Sequence, residues 1–183
     1  MILWRRWKNT TFSHLFADVD QSIKDSVLLK LQKDIQEESQ YPPRFANRKN
    51  LRSQTSEIRF APVVRLYSYF ESMQKGIPRF KKLEDLAYFY EVENGKVLSL
   101  YSAELIGNAK GANRWIIHPF SQEGTFIQLV KFALNQSDDG KVTIILRGTM
   151  YRISYFKDGQ FLYCQKVRTG DDIYVGSVEG LVR

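Results

Sequence analysis

An α+β fold is what this chain predicts: a single domain whose antiparallel sheet of five or more strands, with two long hairpins and a C-terminal meander, packs against two or three helices. Three observations carry that expectation. Two turn pairs, Asn94-Gly95 and Asp158-Gly159, sit between runs of alternating apolar and polar residues. An Asx-Gly pair supplies the positive φ that a two-residue hairpin requires. The second pair lies inside a meander from Lys141 to Val167, KVTIILRGTMYRISYFKDGQFLYCQKV. Finally, Val19, Ile23, Val27, Leu31 and Ile35 recur every four residues, which is a helical period.

Residues 1–17 form an aromatic and basic arm, with Trp4 and Trp7 among Arg5, Arg6 and Lys8, followed by Phe12, Leu15 and Phe16. On a short helix Trp4 and Trp7 share one face. That face either staples the arm to the core of the domain at 18–183 or meets a protein partner, a second copy of the chain or a membrane interface. A helix follows over 20–38: Leu28 widens the apolar stripe, Asp20 stands where an N-cap belongs, and lysines mix with acids on the wet face.

Tyr41-Pro42-Pro43 ends that helix and opens a basic loop at 40–59. Between Arg44 and Arg59 stand five basic residues, Arg44, Arg48, Lys49, Arg52 and Arg59, against one acid, Glu57, a local balance of +4 within a chain of net +7. Pro62 then suits the first turn of a helix carrying Val63, Leu66, Tyr67, Phe70 and Met73 on its apolar side, with Gly76 as the stop. A strand from Ile58 to Tyr69 is the rival, since Val63, Val64, Tyr67 and Tyr69 are β-prone and Pro62 fits a sheet edge.

After a connector at 78–86, residues 87–104 make the hairpin around Asn94-Gly95. Residues 107–113, GNAKGAN, form a loop of small residues, and RWIIHPF at 114–120 a short strand. Ser121 is placed to cap a helix over 122–135 that buries Phe126, Leu129, Val130, Ala133 and Leu134. Residues 137–140 turn the chain into the meander, and Ile173, Tyr174 and Val175 add a last short strand. EVENGKVLSLY and SYFKDGQFLYC are alike around their turn glycines, but two hairpins obeying one turn rule share that much without a repeat.

At 183 residues the chain can bury about two-thirds of the surface its unfolded form exposes. One cysteine, Cys164, excludes an internal disulfide and a cysteine-based zinc cage. The N-terminus lacks the apolar core of a signal peptide and no run is long enough to span a bilayer, so a cytoplasmic location is expected. The two histidines, His14 and His118, lie far apart, and His118 in IIHPF sits in an apolar strand beside a proline, a place for a core or rim residue more than for a base. Cys164 alternates with Tyr163 and Gln165 and reads as a packing residue. No metal site and no cofactor is expected. GNAKGAN lacks the GK[ST] ending of a phosphate loop, and RTGDD at 168–172 is equally unspecific. Glu91 and Glu93, two apart on a strand, face the same way, a disposition suited to carboxylate catalysis or a magnesium ion, although acids beside a hairpin tip are ordinarily solvated.

The remaining signal is placed charge. Residues 57–140 are neutral, with ten basic against ten acidic side chains. The cations concentrate instead in Arg44, Arg48, Lys49, Arg52 and Arg59, with Arg5 and Arg6 on the arm, and Tyr41 and Phe45 are at hand for stacking. Four arginines to one lysine in the loop favour bidentate contacts with anions. The chain is therefore expected to be a non-catalytic nucleic-acid-binding protein that grips the phosphate backbone with little sequence specificity. Two alternatives stand beside it: a structural or adaptor subunit docking through Trp4 and Trp7, and a small enzyme using Glu91 and Glu93.

Overall fold

The computed structural model describes residues 13–38, 56–107, 111–121, 124–167 and 172–182. Among them the elements are α1 (Gln21–Glu38), β1 (Glu57–Leu66), α2 (Tyr69–Lys75), β2 (Phe80–Glu93), β3 (Lys96–Gly107), β4 (Asn113–Pro119), α3 (Thr125–Gln136), β5 (Val142–Arg147), β6 (Met150–Lys157), β7 (Gln160–Lys166), β8 (Ile173–Ser177) and a 3-10 turn at Val178–Leu181. The eight strands form one sheet in the order β4-β3-β2-β1-β5-β6-β7-β8. This is the α+β class that turn chemistry and periodicity predict. The pairings β2–β3, β3–β4, β5–β6, β6–β7 and β7–β8 are antiparallel, whereas β1 and β5 run parallel through Val63–Ile144, Val64–Ile145 and Arg65–Leu146.

The chain divides into two compact units, one of residues 19–60 and 84–122, the other of residues 1–18, 61–83 and 123–183. In the first, α1 starts where Asp20 caps it: the Asp20 carboxylate accepts from Ser22 N–H at 2.9 Å. The four-residue stripe lays Val27 and Leu31 against Phe89, Tyr101, Ala103, Trp115 and Ile117, with Ile23 and Ile35 at the margin. Phe89 is the centre of this core. Its ring stacks on Tyr101 at 5.0 Å and lies 5.5 Å from Phe60.

In the second unit, α3 buries Phe126, Ile127, Leu129, Val130 and Ala133, while Leu134 is only half-buried. Phe126 meets Tyr151 edge-on at 4.3 Å, and the Cys164 thiol contacts the Leu129 carbonyl at 3.7 Å. A further cluster joins Val64, Leu66, Phe80, Ile145, Tyr163 and Val178, with Leu15, Phe16 and Phe161 packed at its rim.

Two expectations need correction. Over 57–75 the strand reading holds where the helix from Pro62 fails: β1 runs from Glu57 through Pro62 to Leu66, between β2 and β5 and not at an edge, and a helix begins only at Tyr69. Ala61-Pro62-Val63-Val64 is buried on both faces, so it shows no alternation, and a continuous apolar run cannot be told from a helix by period alone. The ladder to β5 begins at Val63, one residue past the nitrogen that has no hydrogen to donate. Ser121 is not the N-cap of α3. α3 starts at Thr125 behind Gly124, which has an extended backbone and no side chain to accept a bond.

Candidate functional site

The most unusual surface belongs to α2, an excursion between β1 and β2. The Tyr67 N–H donates to the Arg79 carbonyl at 2.8 Å, which holds the two ends of the excursion together. At the start of α2 the Ser68 hydroxyl accepts from the Glu71 N–H at 3.1 Å and the Glu71 carboxylate accepts from the Ser68 N–H at 3.0 Å. The pair is a capping box. At the other end Gly76 adopts φ 61°, and its N–H reaches the Met73 carbonyl at 3.4 Å, a left-handed stop that favours glycine. Ile77 N–H donates to the Ser72 carbonyl at 3.1 Å, and the Ser72 hydroxyl donates back to the Ile77 carbonyl.

Seven residues are too few for a helix to hold by itself, and no side chain of α2 is buried. The caps hold it. What they hold out is apolar: Tyr69, Phe70 and Met73 are 59%, 76% and 66% exposed, with the Tyr69 and Phe70 rings edge-on at 6.1 Å. Met150, across the β5–β6 turn from Arg147, is exposed as well. Arg147 lies close enough to Glu71 to help hold its carboxyl below the usual glutamate range. The larger causes are the backbone and hydroxyl hydrogen bonds of Ser68, and Lys75 adds to them. At a helical step of 100°, Tyr69, Met73 and Phe70 form one stripe, and Glu71 and Lys75, one turn apart, lie on the opposite face of the helix.

The helical spacing put Phe70 and Met73 on the apolar side of a longer helix, so their exposure is a correction. The signal that could have found them was the Ser68-x-x-Glu71 box with Gly76 behind it, which marks a short, self-contained helix.

The charged loop residues Arg44, Arg48, Lys49 and Arg52, and Arg5, Arg6, Trp4 and Trp7 of the arm, lie outside the described residues, as do Lys110 of GNAKGAN and 168–171 of RTGDD. Arg59 lies on β1 and pairs with Glu57 at 2.9 Å. The Glu57 carboxyl is held low by the Arg59 hydrogen bond, and the Arg59 guanidinium is raised by the same bond. Glu91 and Glu93 meet different fates. Glu91 is fully buried, its Oε2 accepts from the Ser99 hydroxyl at 3.4 Å and its Oε1 has no hydrogen-bond partner among the described residues. Glu93 is half-buried opposite Lys96. The expectation that both are solvated is therefore wrong for Glu91. It lies on the strand position of Phe89 and Ala87, two and four residues back, and takes their burial.

His118 and His14 are exposed. Cys164 packs as expected, and burial pushes its thiol up to about 12, which leaves almost no thiolate to act as a nucleophile. Among the described residues no three His, Cys, Asp or Glu side chains cluster as metal ligands, and no helix is long and apolar enough to cross a membrane. No protein-family model, no curated protein and no solved structure matches the chain.

Proposed function

We propose that the protein is an assembly subunit that pairs with a second copy of itself through α2. The observation that carries this reading is the exposure of Phe70, with Tyr69 and Met73, on a helix that buries no side chain of its own. Exposed apolar surface gathered on one rigid feature marks contact surfaces in soluble proteins. A second copy suits this face. Two α2 helices packed antiparallel about a twofold axis at Met73 set one apolar stripe against the other and leave Glu71 and Lys75, on the opposite face, in water. A single short helix offers a small contact, which suits association in the micromolar range.

Sedimentation velocity over about 1–200 μM tests it. The chain should move from monomer to dimer across that range. Phe70→Asp should remain monomeric with an unchanged melting temperature, and Met73→Gln, which leaves the capping box intact, should weaken the dimer about tenfold. A wild-type chain that stays monomeric throughout refutes the pairing, as does a Phe70→Asp dimer of undiminished affinity.

A second reading rests on the +4 balance between Arg44 and Arg59: contact with a nucleic-acid backbone through Arg44, Arg48, Lys49 and Arg52, insensitive to base sequence. Arg59, engaged by Glu57, contributes less than its charge suggests. Four phosphate contacts imply a slope of about 3 in log affinity against log salt. Binding of short oligonucleotides with that slope, lost when the four are replaced by Ala, supports this reading. No binding at low salt refutes it.

A further inference from the structure

Strands β5 to β8 carry Arg147, Arg152, Lys157 and Lys166 and no acidic residue. Of these cations only Arg152 is buried, at 8% exposed. A guanidinium keeps its charge at any ordinary pH, and a charge taken out of water without a counter-charge is costly unless its donors are satisfied. Arg152 is far from satisfied. Its Nε and Nη1 have no hydrogen-bond partner among the described residues. Its clearest company is Tyr163, whose ring centre lies 5.5 Å from the guanidinium carbon. A ring face offsets part of the lost hydration, but it cannot accept from N–H groups lying in the guanidinium plane.

A row of polar residues along the ladder links this buried cation to the edge of the sheet. Gly176 stands opposite Tyr163 in the β7–β8 ladder, and a Cβ there would come within 2.8 Å of the Tyr163 ring. The glycine thus gives the phenol its place. Tyr163 hydrogen-bonds through its side chain with both Tyr174 and Arg152, and the Tyr163 and Tyr174 rings are 6.1 Å apart. One step along the antiparallel register from Ile153–Cys164, Arg152 stands across from Gln165, which is itself paired with Tyr174. Opposed residues in such a ladder share a face. The row Arg152, Gln165, Tyr174 therefore runs from the buried guanidinium to a tyrosine that is 49% exposed on β8, the outermost strand.

We propose that Arg152, with Tyr163 and Tyr174, is a binding site for a small oxyanion, the phosphate or carboxylate group of a diffusible ligand that enters along β8. The anion supplies the counter-charge and the acceptors that Arg152 lacks, and a charge-assisted bond in so dry a setting is stronger than one at the surface. The tyrosine hydroxyls give the ligand neutral donors at the entrance.

Thermal unfolding of the whole chain tests the proposal, with sodium phosphate in one arm, sodium acetate in another and sodium chloride at matched ionic strength as the reference. Phosphate or acetate at about ten times its dissociation constant should raise the melting temperature by about 3–6 °C over chloride, saturably. The arm that responds identifies the source of the oxyanion. Arg152→Met should lose the response while melting no lower than the parent in chloride, because it removes an uncompensated charge and keeps the volume. Should that variant fail to fold, Tyr174→Phe, an exposed change, should weaken the binding of the responding anion about tenfold by calorimetry. Equal curves in all three salts, or an anion response that survives Arg152→Met or is unchanged in Tyr174→Phe, overturns the site.

Discussion

The β2–β3 and β6–β7 hairpins turn on the same chemistry and then diverge. Asn94 and Gly95 take φ of 50° and 73°, and Asp158 and Gly159 take 49° and 74°, the paired positive values of a two-residue turn whose twist suits the strands. In β6–β7 the register runs without a break from Lys157–Gln160 to Ile153–Cys164. In β2–β3 it shifts between Glu91 and Val92, leaving Leu98 as an extra residue on β3. The shift falls beside Glu91, the one fully buried carboxyl group among the described residues, and bulges commonly re-aim a side chain. Each hairpin carries an ionisable side chain inward, but Arg152 has a row of polar residues leading to solvent, whereas Glu91 has one hydroxyl at 3.4 Å among the described residues. A turn decides where a hairpin begins. The ladder behind it decides which residues are taken out of water.

If the two units hold their hairpins by separate cores, a lesion in one should spare the other. Phe89 is fully buried, with Tyr101 stacked on one side and Phe60 close by. Phe89→Ala should cost about 3–5 kcal/mol, the largest effect anticipated here. Amide exchange should rise first in β2 to β4 while β5 to β8 keep their protection. Uniform loss of protection across all eight strands would break the comparison by showing that the units open as one.

A smaller test compares two sheet glycines. In β8, Gly176 lies under Tyr163, and an added Cβ would meet ring atoms at 2.8 Å that have little freedom to move. In β3, Gly107 faces only the Asn113 side-chain oxygen, at 3.3 Å, and a short polar side chain at a strand end can give way. Gly176→Ala should therefore destabilise by about 1–3 kcal/mol, and Gly107→Ala should change stability by less than about 0.5 kcal/mol. Equal effects in chemical denaturation would mean that Tyr163 is not held where the site at Arg152 needs it.

Those contrasts also explain what could be read in advance. Both Asx-Gly turns, the α1 stripe, the apolar face of α3 and the meander are local rules, and the structure follows them. The course of 57–75 was not legible, because Ala61 to Val64 is covered on both faces and so has no period to read. Nor was the parallel pairing of β1 with β5, which joins segments about eighty residues apart with no turn to announce it. The candidate surfaces were harder still. Arg152 alternates with Tyr151 and Ile153 like any solvent-facing residue, and only tertiary packing buries it. Phe70 and Met73 have helical spacing in a segment where the apolar side meets no core. Exposure is a property of what packs on a residue, and the residue's own neighbours in sequence do not report it.

The smallest expected effect separates α2 from the longer helices. α1 and α3 are held by buried apolar faces, whereas α2 has only its caps. Ser68→Ala removes the hydroxyl that accepts from the Glu71 N–H, so amide protection at 69–75 should fall while the melting temperature moves by less than about 2 °C. Acid should do the same without a mutation. The Glu71 carboxyl is held low by its bonds to Ser68, so its contribution is present above the ordinary glutamate range and is lost as pH falls through the depressed folded value. Amide exchange followed from pH 7 towards pH 3 should show α2 fraying before α1 or α3. Loss of all three helices at one midpoint would mean that α2 is held by more than its caps, and that its exposed face is less free to meet a second copy than its geometry indicates.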